Sequence, residues 1–164
     1  MALKVSKRSV DGVIRVVDVY VSQRLLRDVN RGFSWYVVEL NLALEDGRVF
    51  TMINIPSDVA EALAVHRGLL SPPRRQSIYT FLLNNESFKE VLTRGLKRVI
   101  IDELDPATGL YTASVDFEDE GVNITIKMIP SHAVYLALLA GRSIYVRKEL
   151  VEQQERLGEY EEEK

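Results

Sequence analysis

The sequence states one pattern twice. Ile55-Pro56-Ser57-Asp58-Val59-Ala60-Glu61-Ala62-Leu63-Ala64 is echoed by Ile129-Pro130-Ser131-His132-Ala133-Val134-Tyr135-Leu136-Ala137-Leu138. Each copy follows an alternating, strand-like run, and each ends near a glycine, Gly68 or Gly141. Two copies are too few for a solenoid, whose repeats need more neighbours to bury a continuous core. They point instead to one domain built from two related halves. If the halves share a core, the two Pro-Ser turns are the walls of one site or of two pseudo-equivalent sites.

The 164 residues suit one domain with a full core. No apolar run reaches the length of a membrane-spanning helix, and Met1 to Arg8 has no apolar segment of the signal-peptide kind. A cytoplasmic location is the expectation. There is no cysteine, which excludes disulfides, thiolate metal sites and cysteine nucleophiles. The net charge of −3 exerts no global pull on nucleic acid. Local fields differ: Lys4 to Arg31 holds seven basic and three acidic residues, and Arg67 to Arg98 seven and two.

Val13 to Val21 is rich in β-branched residues and reads as a strand. Trp35 to Leu44 reads as a second, Asp46-Gly47 as a two-residue hairpin turn, and Arg48 to Ile55 as a third strand. Pro56 and Ser57 then open a helix that Gly68 ends, with Ser57 read as a cap. Leu69 to Gln76 is a linker stiffened by Pro72-Pro73. Ser77 to Thr93 reads as a longer helix with Ile78, Phe81, Leu82, Phe88, Val91 and Leu92 as its apolar face, weakened at Asn84-Asn85-Glu86. Strands follow at 97–104, 110–117 and 122–128. A helix opens at Pro130-Ser131, with Ser131 again read as a cap. A strand at 143–147 and a helix from Lys148 to Gly158 complete the order. Runs of strands separated by helices predict a single α+β domain over residues 1–158, with pseudo-duplicated βββα halves and a mainly antiparallel or mixed sheet. Residues 159–164 read as a frayed acidic tail.

The order and spacing from Ser77-Ile78-Tyr79-Thr80-Phe81 through Lys97 to Ile101, Leu110-Tyr111-Thr112-Ala113, the Ile129 to Ala133 turn and Gly141 to Val146 resemble the bifunctional nuclease domain family. Arg48 to Ile53 fits as well, so the resemblance covers about residues 8 to 156. It implies a small cytoplasmic α+β protein, often oligomeric, with DNase and RNase activity in some plant members. The family turn usually reads Arg-Pro-Ser-Asp-Ala. Here Ile129 stands for the arginine and His132 for the aspartate, while Asp58 restores Pro-Ser-Asp in the first copy.

Asp58 is the candidate ligand for a divalent metal, magnesium or manganese, in phosphodiester cleavage; it also suits the positive end of the helix it opens. His132 is a candidate proton-transfer group or phosphate contact, or simply a polar residue near a helix start. The acidic groups at Asp102 to Asp105 and Asp116 to Glu120 straddle turns, where carboxylates are common for backbone reasons. Arg67, Arg74 and Arg75 are candidates for tracking a nucleic-acid backbone. There is no Gly-rich phosphate loop or dinucleotide fingerprint. The leading reading is metal-assisted hydrolysis of DNA or RNA with little sequence preference. The alternative is a non-catalytic oligomeric binding or scaffold protein. Phe33, Trp35, Tyr36 and Tyr20 supply more aromatic surface than the first strands need, which favours a homo-oligomer.

Overall fold

The computed structural model describes residues 12–53 and 55–162, with side chains through residue 158. Lys4, Lys7 and Arg8 of the first basic segment lie outside the described residues. Three strands open the fold: β1 (Val13–Asp28), β2 (Phe33–Leu44) and β3 (Val49–Ile53). Helices α1 (Ser57–His66), α2 (Ile78–Leu83) and α3 (Glu86–Gly95) lead to β4 (Leu96–Leu104), β5 (Tyr111–Asp119) and β6 (Val122–Met128). The chain ends with α4 (Pro130–Ala140), β7 (Ser143–Arg147) and α5 (Lys148–Glu162). This is the predicted α+β order. Helix α5 runs beyond Gly158, through part of the stretch expected to fray.

The seven strands form one mixed sheet, β3-β2-β1-β7-β4-β5-β6. The two antiparallel meanders sit on either side of β7, which runs antiparallel to β1 and parallel to β4. Each meander leads into one Ile-Pro-Ser helix. The β2–β3 hairpin forms as expected, but its loop holds four residues, with Gly47 at a φ of 90°. The sheet is strongly curled. Phe50 of β3 meets Tyr111 of β5 edge-on at 5.1 Å. In a flat sheet five strand spacings would separate them by about 24 Å.

Inside the curl lies one continuous core. Leu40, Leu42, Phe50, Val99, Ile101 and Val115 line it from the strands, and Val59, Val134 and Tyr135 from the helices. Helix α4 is apolar around its whole circumference because it is buried on nearly all sides. Helix α5 closes one edge of the sheet: the Gln154 side-chain amide accepts from Thr51 N–H at 2.8 Å and donates to Thr51 C=O at 2.7 Å. A side-chain amide thus completes a backbone ladder that an edge strand leaves open.

The long helix expected at 77–93 is two helices. Ser77 Oγ accepts from Thr80 N–H and caps α2; Asn85 Oδ1 accepts from Phe88 N–H and caps α3. The restart changes the rotational phase, so the expected apolar face is divided. Leu92 is buried and Leu82 and Phe88 pack on the core, but Ile78, Phe81 and Val91 are exposed.

Candidate functional site

Both Ile-Pro-Ser helices begin beside α2. Asp58 is the second residue of α1 and is exposed. Its Oδ1 accepts from the N–H of Val59 at 2.9 Å, and Oδ2 has no hydrogen-bond partner among the described residues. His132 is the third residue of α4 and is half-buried. Its Nε2 lies 2.8 Å from the hydroxyl of Tyr79, and the two rings are tilted with centroids 5.3 Å apart. Tyr79 is itself fixed. Its ring meets Tyr135 edge-on at 5.7 Å, and the buried Tyr135 hydroxyl donates to the Tyr79 carbonyl.

Burial pushes the Tyr79 hydroxyl above its ordinary value, and the negative charge of Asp58 adds to the rise. The phenol is therefore neutral at physiological pH. Asp58 and His132, the two residues singled out in the repeated turns, both act on this one hydroxyl, Asp58 through its field and His132 through a hydrogen bond. Tyr79 had no sequence signal of its own, since no spacing ties residue 79 to residue 132. Packing of α2 against α1 and α4 creates the relation.

The serines of the two turns do not cap. Pro56 and Ile129 hold the cap positions, and neither helix has a side-chain cap hydrogen bond. Pro130 occupies the first turn of α4, where its missing N–H costs nothing, and the residue before a proline is driven to extended backbone. That places Ile129 at the cap and turns Ser131 inward, where it is buried.

Arg67 caps the far end of α1, about 13.5 Å along the helix from Asp58. Its Nη1 donates to Asp18 Oδ1 at 2.9 Å and to the Val19 carbonyl. Arg74 and Arg75 are exposed in the α1–α2 linker. Arg67, one of the three candidate arginines, is thus held by β1 at the end of α1 opposite Asp58. Two of the acidic residues are tied down as well: Asp102 and Glu103 both meet Lys127. Asp116 pairs with Arg98 at 2.8 Å and accepts from Thr125. Among the described residues no group of three His, Asp or Glu side chains is placed to hold a metal ion, and no helix is long and apolar enough to cross a membrane.

The family described as bifunctional nuclease domain matches residues 40–157. No curated protein matches the chain. The matched span holds Asp58, Tyr79 and His132 and all three arginines, and runs from the end of β2 through most of α5.

Proposed function

The chain belongs to the bifunctional nuclease domain family, and from that premise we propose that it is a cytoplasmic nuclease that hydrolyses phosphodiesters of DNA or RNA at the Asp58–Tyr79–His132 cluster. The observation that carries this reading is the convergence of the two repeated turns on the Tyr79 hydroxyl. Position and proton transfer are what a phosphodiester needs from a protein. His132, oriented through Nε2 by Tyr79, has its other ring nitrogen available to take a proton from water or give one to the leaving oxygen. The neutral Tyr79 hydroxyl fixes the ring and adds no charge to repel the phosphate.

The one free oxygen of Asp58 fits a hard cation of the magnesium or manganese kind, which is commonly held by one or two carboxylates together with substrate phosphates. When bound, such an ion would supply charge neutralisation and an acidified water. Arg74 and Arg75, exposed and with no ion pair among the described residues, would follow a phosphate backbone along the linker. Because that contact is to phosphate and not to base edges, little sequence preference follows.

The test is cleavage of single- and double-stranded DNA and of RNA by protein freed of host nucleases, with magnesium, with manganese and with chelator. Cleavage that vanishes in chelator and in His132→Ala supports the reading. Absence of cleavage by wild-type protein under every condition refutes it. A second reading, a non-catalytic oligomeric scaffold, is favoured by one observation: the exposed aromatic hairpin formed by β1 and β2. It predicts oligomers with no cleavage.

A further inference from the structure

The end of the molecule away from His132 holds a cleft that the nuclease reading does not use. Strand β1 pairs with β7 only through Val13, Ile14 and Arg15. Beyond Arg15 the two strands part, and β1 bulges against β2 between Val16 and Asp18. A cavity of about 300 Å³ opens in the gap, with Arg15, Asp18, His66, Arg67, Arg142 and Ser143 among its walls. It adjoins a second cavity of about 420 Å³, lined by Val21, Leu63, Leu69, Leu70 and Leu138. Val19, Arg67 and Leu138 belong to both. Arg67 thus stands in the shared wall, held there by Asp18 and the Val19 carbonyl.

The first chamber is basic. Its three arginines come from β1, from the end of α1 and from the α4–β7 turn, so folding alone assembles them. Helices α1 and α4 both end here, and each C-terminus contributes roughly half a negative charge. Asp18 adds a full one. Three arginines thus line the chamber against one lining carboxylate. Arg142 is anchored through Nη2 to the Thr93 carbonyl, yet its Nε is buried without a partner, a donor whose desolvation is uncompensated. His66 is pushed below its usual value by partial burial and by Lys89 and Arg67, so at neutral pH it offers a hydrogen bond and no charge. The second chamber has no such groups on its leucine side, and Leu69 and Leu70 stand exposed at its mouth.

From this division we infer that the two-part cleft binds a small amphiphilic anion: one carboxylate or phosphate head between Arg15 and Arg142, and an apolar body against Leu63, Leu70 and Leu138. A bare anion would leave the apolar chamber wet, and a neutral apolar molecule would leave the arginines unmatched. The cleft is separate from the Asp58–His132 cluster, so occupancy does not depend on cleavage.

Isothermal titration of the full chain tests this, with octanoate, octyl phosphate, octanol and inorganic phosphate, all below micellar concentration. One of the two anionic amphiphiles should saturate at one per chain, at least tenfold tighter than octanol and inorganic phosphate; the tighter of the pair identifies the head group. Arg15→Ala and Leu70→Asp alter exposed side chains, keep the fold by circular dichroism, and should each weaken that binding at least tenfold. His132→Ala should leave it unchanged. Absence of saturable binding by both amphiphiles, equal affinity for octanol, or wild-type affinity in both Arg15→Ala and Leu70→Asp overturns the inference.

Discussion

The Tyr79–His132 hydrogen bond separates what a residue does from where it sits. His132→Ala removes the proton-transfer group and should lower cleavage at least a hundredfold. Tyr79→Phe keeps the imidazole and removes only its partner, so a smaller loss is expected, with rescue absent at any pH if the role is positioning alone. Asp58→Asn should abolish cleavage and move the melting temperature by only a few degrees, because one exposed helix-end charge contributes about 0.3–1 kcal/mol. Full activity of that variant would reduce Asp58 to a helix-end charge. Tyr135 gives a pH prediction. Burial pushes its hydroxyl up to about 12. Because the folded value is the higher one, its stabilisation is complete below the ordinary phenol value near 10 and is lost as pH climbs towards 12. The difference corresponds to about 3 kcal/mol. Alkaline unfolding followed by circular dichroism should begin above pH 10, and Tyr135→Phe should flatten that limb while lowering stability at neutral pH through loss of the hydrogen bond to the Tyr79 carbonyl.

Secondary-structure elements begin where caps and prolines allow, and here the repeated turns and the α2–α3 pair differ. Ser77→Ala and Asn85→Ala each remove a bond to a first-turn N–H and should each cost about 1 kcal/mol in denaturant unfolding. Ser57→Ala, at an exposed position with no cap bond, should stay within about 0.5 kcal/mol. Equal losses at all three would mean that Ser57 caps after all. The contrast shows how far the elements could be read from sequence. Strands β4 to β7 and helices α1 and α4 follow from alternation, turn residues and glycine stops, which are local signals. The restart at Asn85 was visible as a weak point, but its consequence for Ile78, Phe81 and Val91 was not, because a phase change of one residue turns a side chain by about 100°. Tyr79 escaped notice for the same reason that His132 was found. His132 repeats a position in a motif, whereas Tyr79 gains its meaning only from contacts between distant segments.

At the scale of the whole molecule, the placing of β7 between β1 and β4 was not legible, since hydrophobic pattern fixes the face of a strand and not its neighbours. The same pairing leaves an arm. Strand β1 pairs with β7 only as far as Arg15, and β2 pairs with β3 only over Glu39 to Ala43. Among the described residues, the six rungs from Gln23–Val38 to Asp28–Phe33 therefore have no further strand on either side. A two-stranded hairpin is at best marginally stable in water, and this one exposes Leu25, Val29, Phe33, Trp35 and Tyr36. The Phe33–Trp35 ring contact at 5.2 Å covers only part of that surface. A second copy of the chain packed on the arm would bury it, and aromatic residues are enriched at such contacts. The expected state at micromolar concentration is thus a homo-oligomer by light scattering. Trp35→Ser with Tyr36→Ser should shift it to monomer and speed amide exchange across the six rungs, while the amides of Val99 and Val115 in the central sheet stay protected. A wild-type monomer, or an oligomer untouched by the double substitution, would remove the arm from the interface. Slow arm exchange in a proven monomer would show that the hairpin stands alone, against the energetics that make a partner necessary.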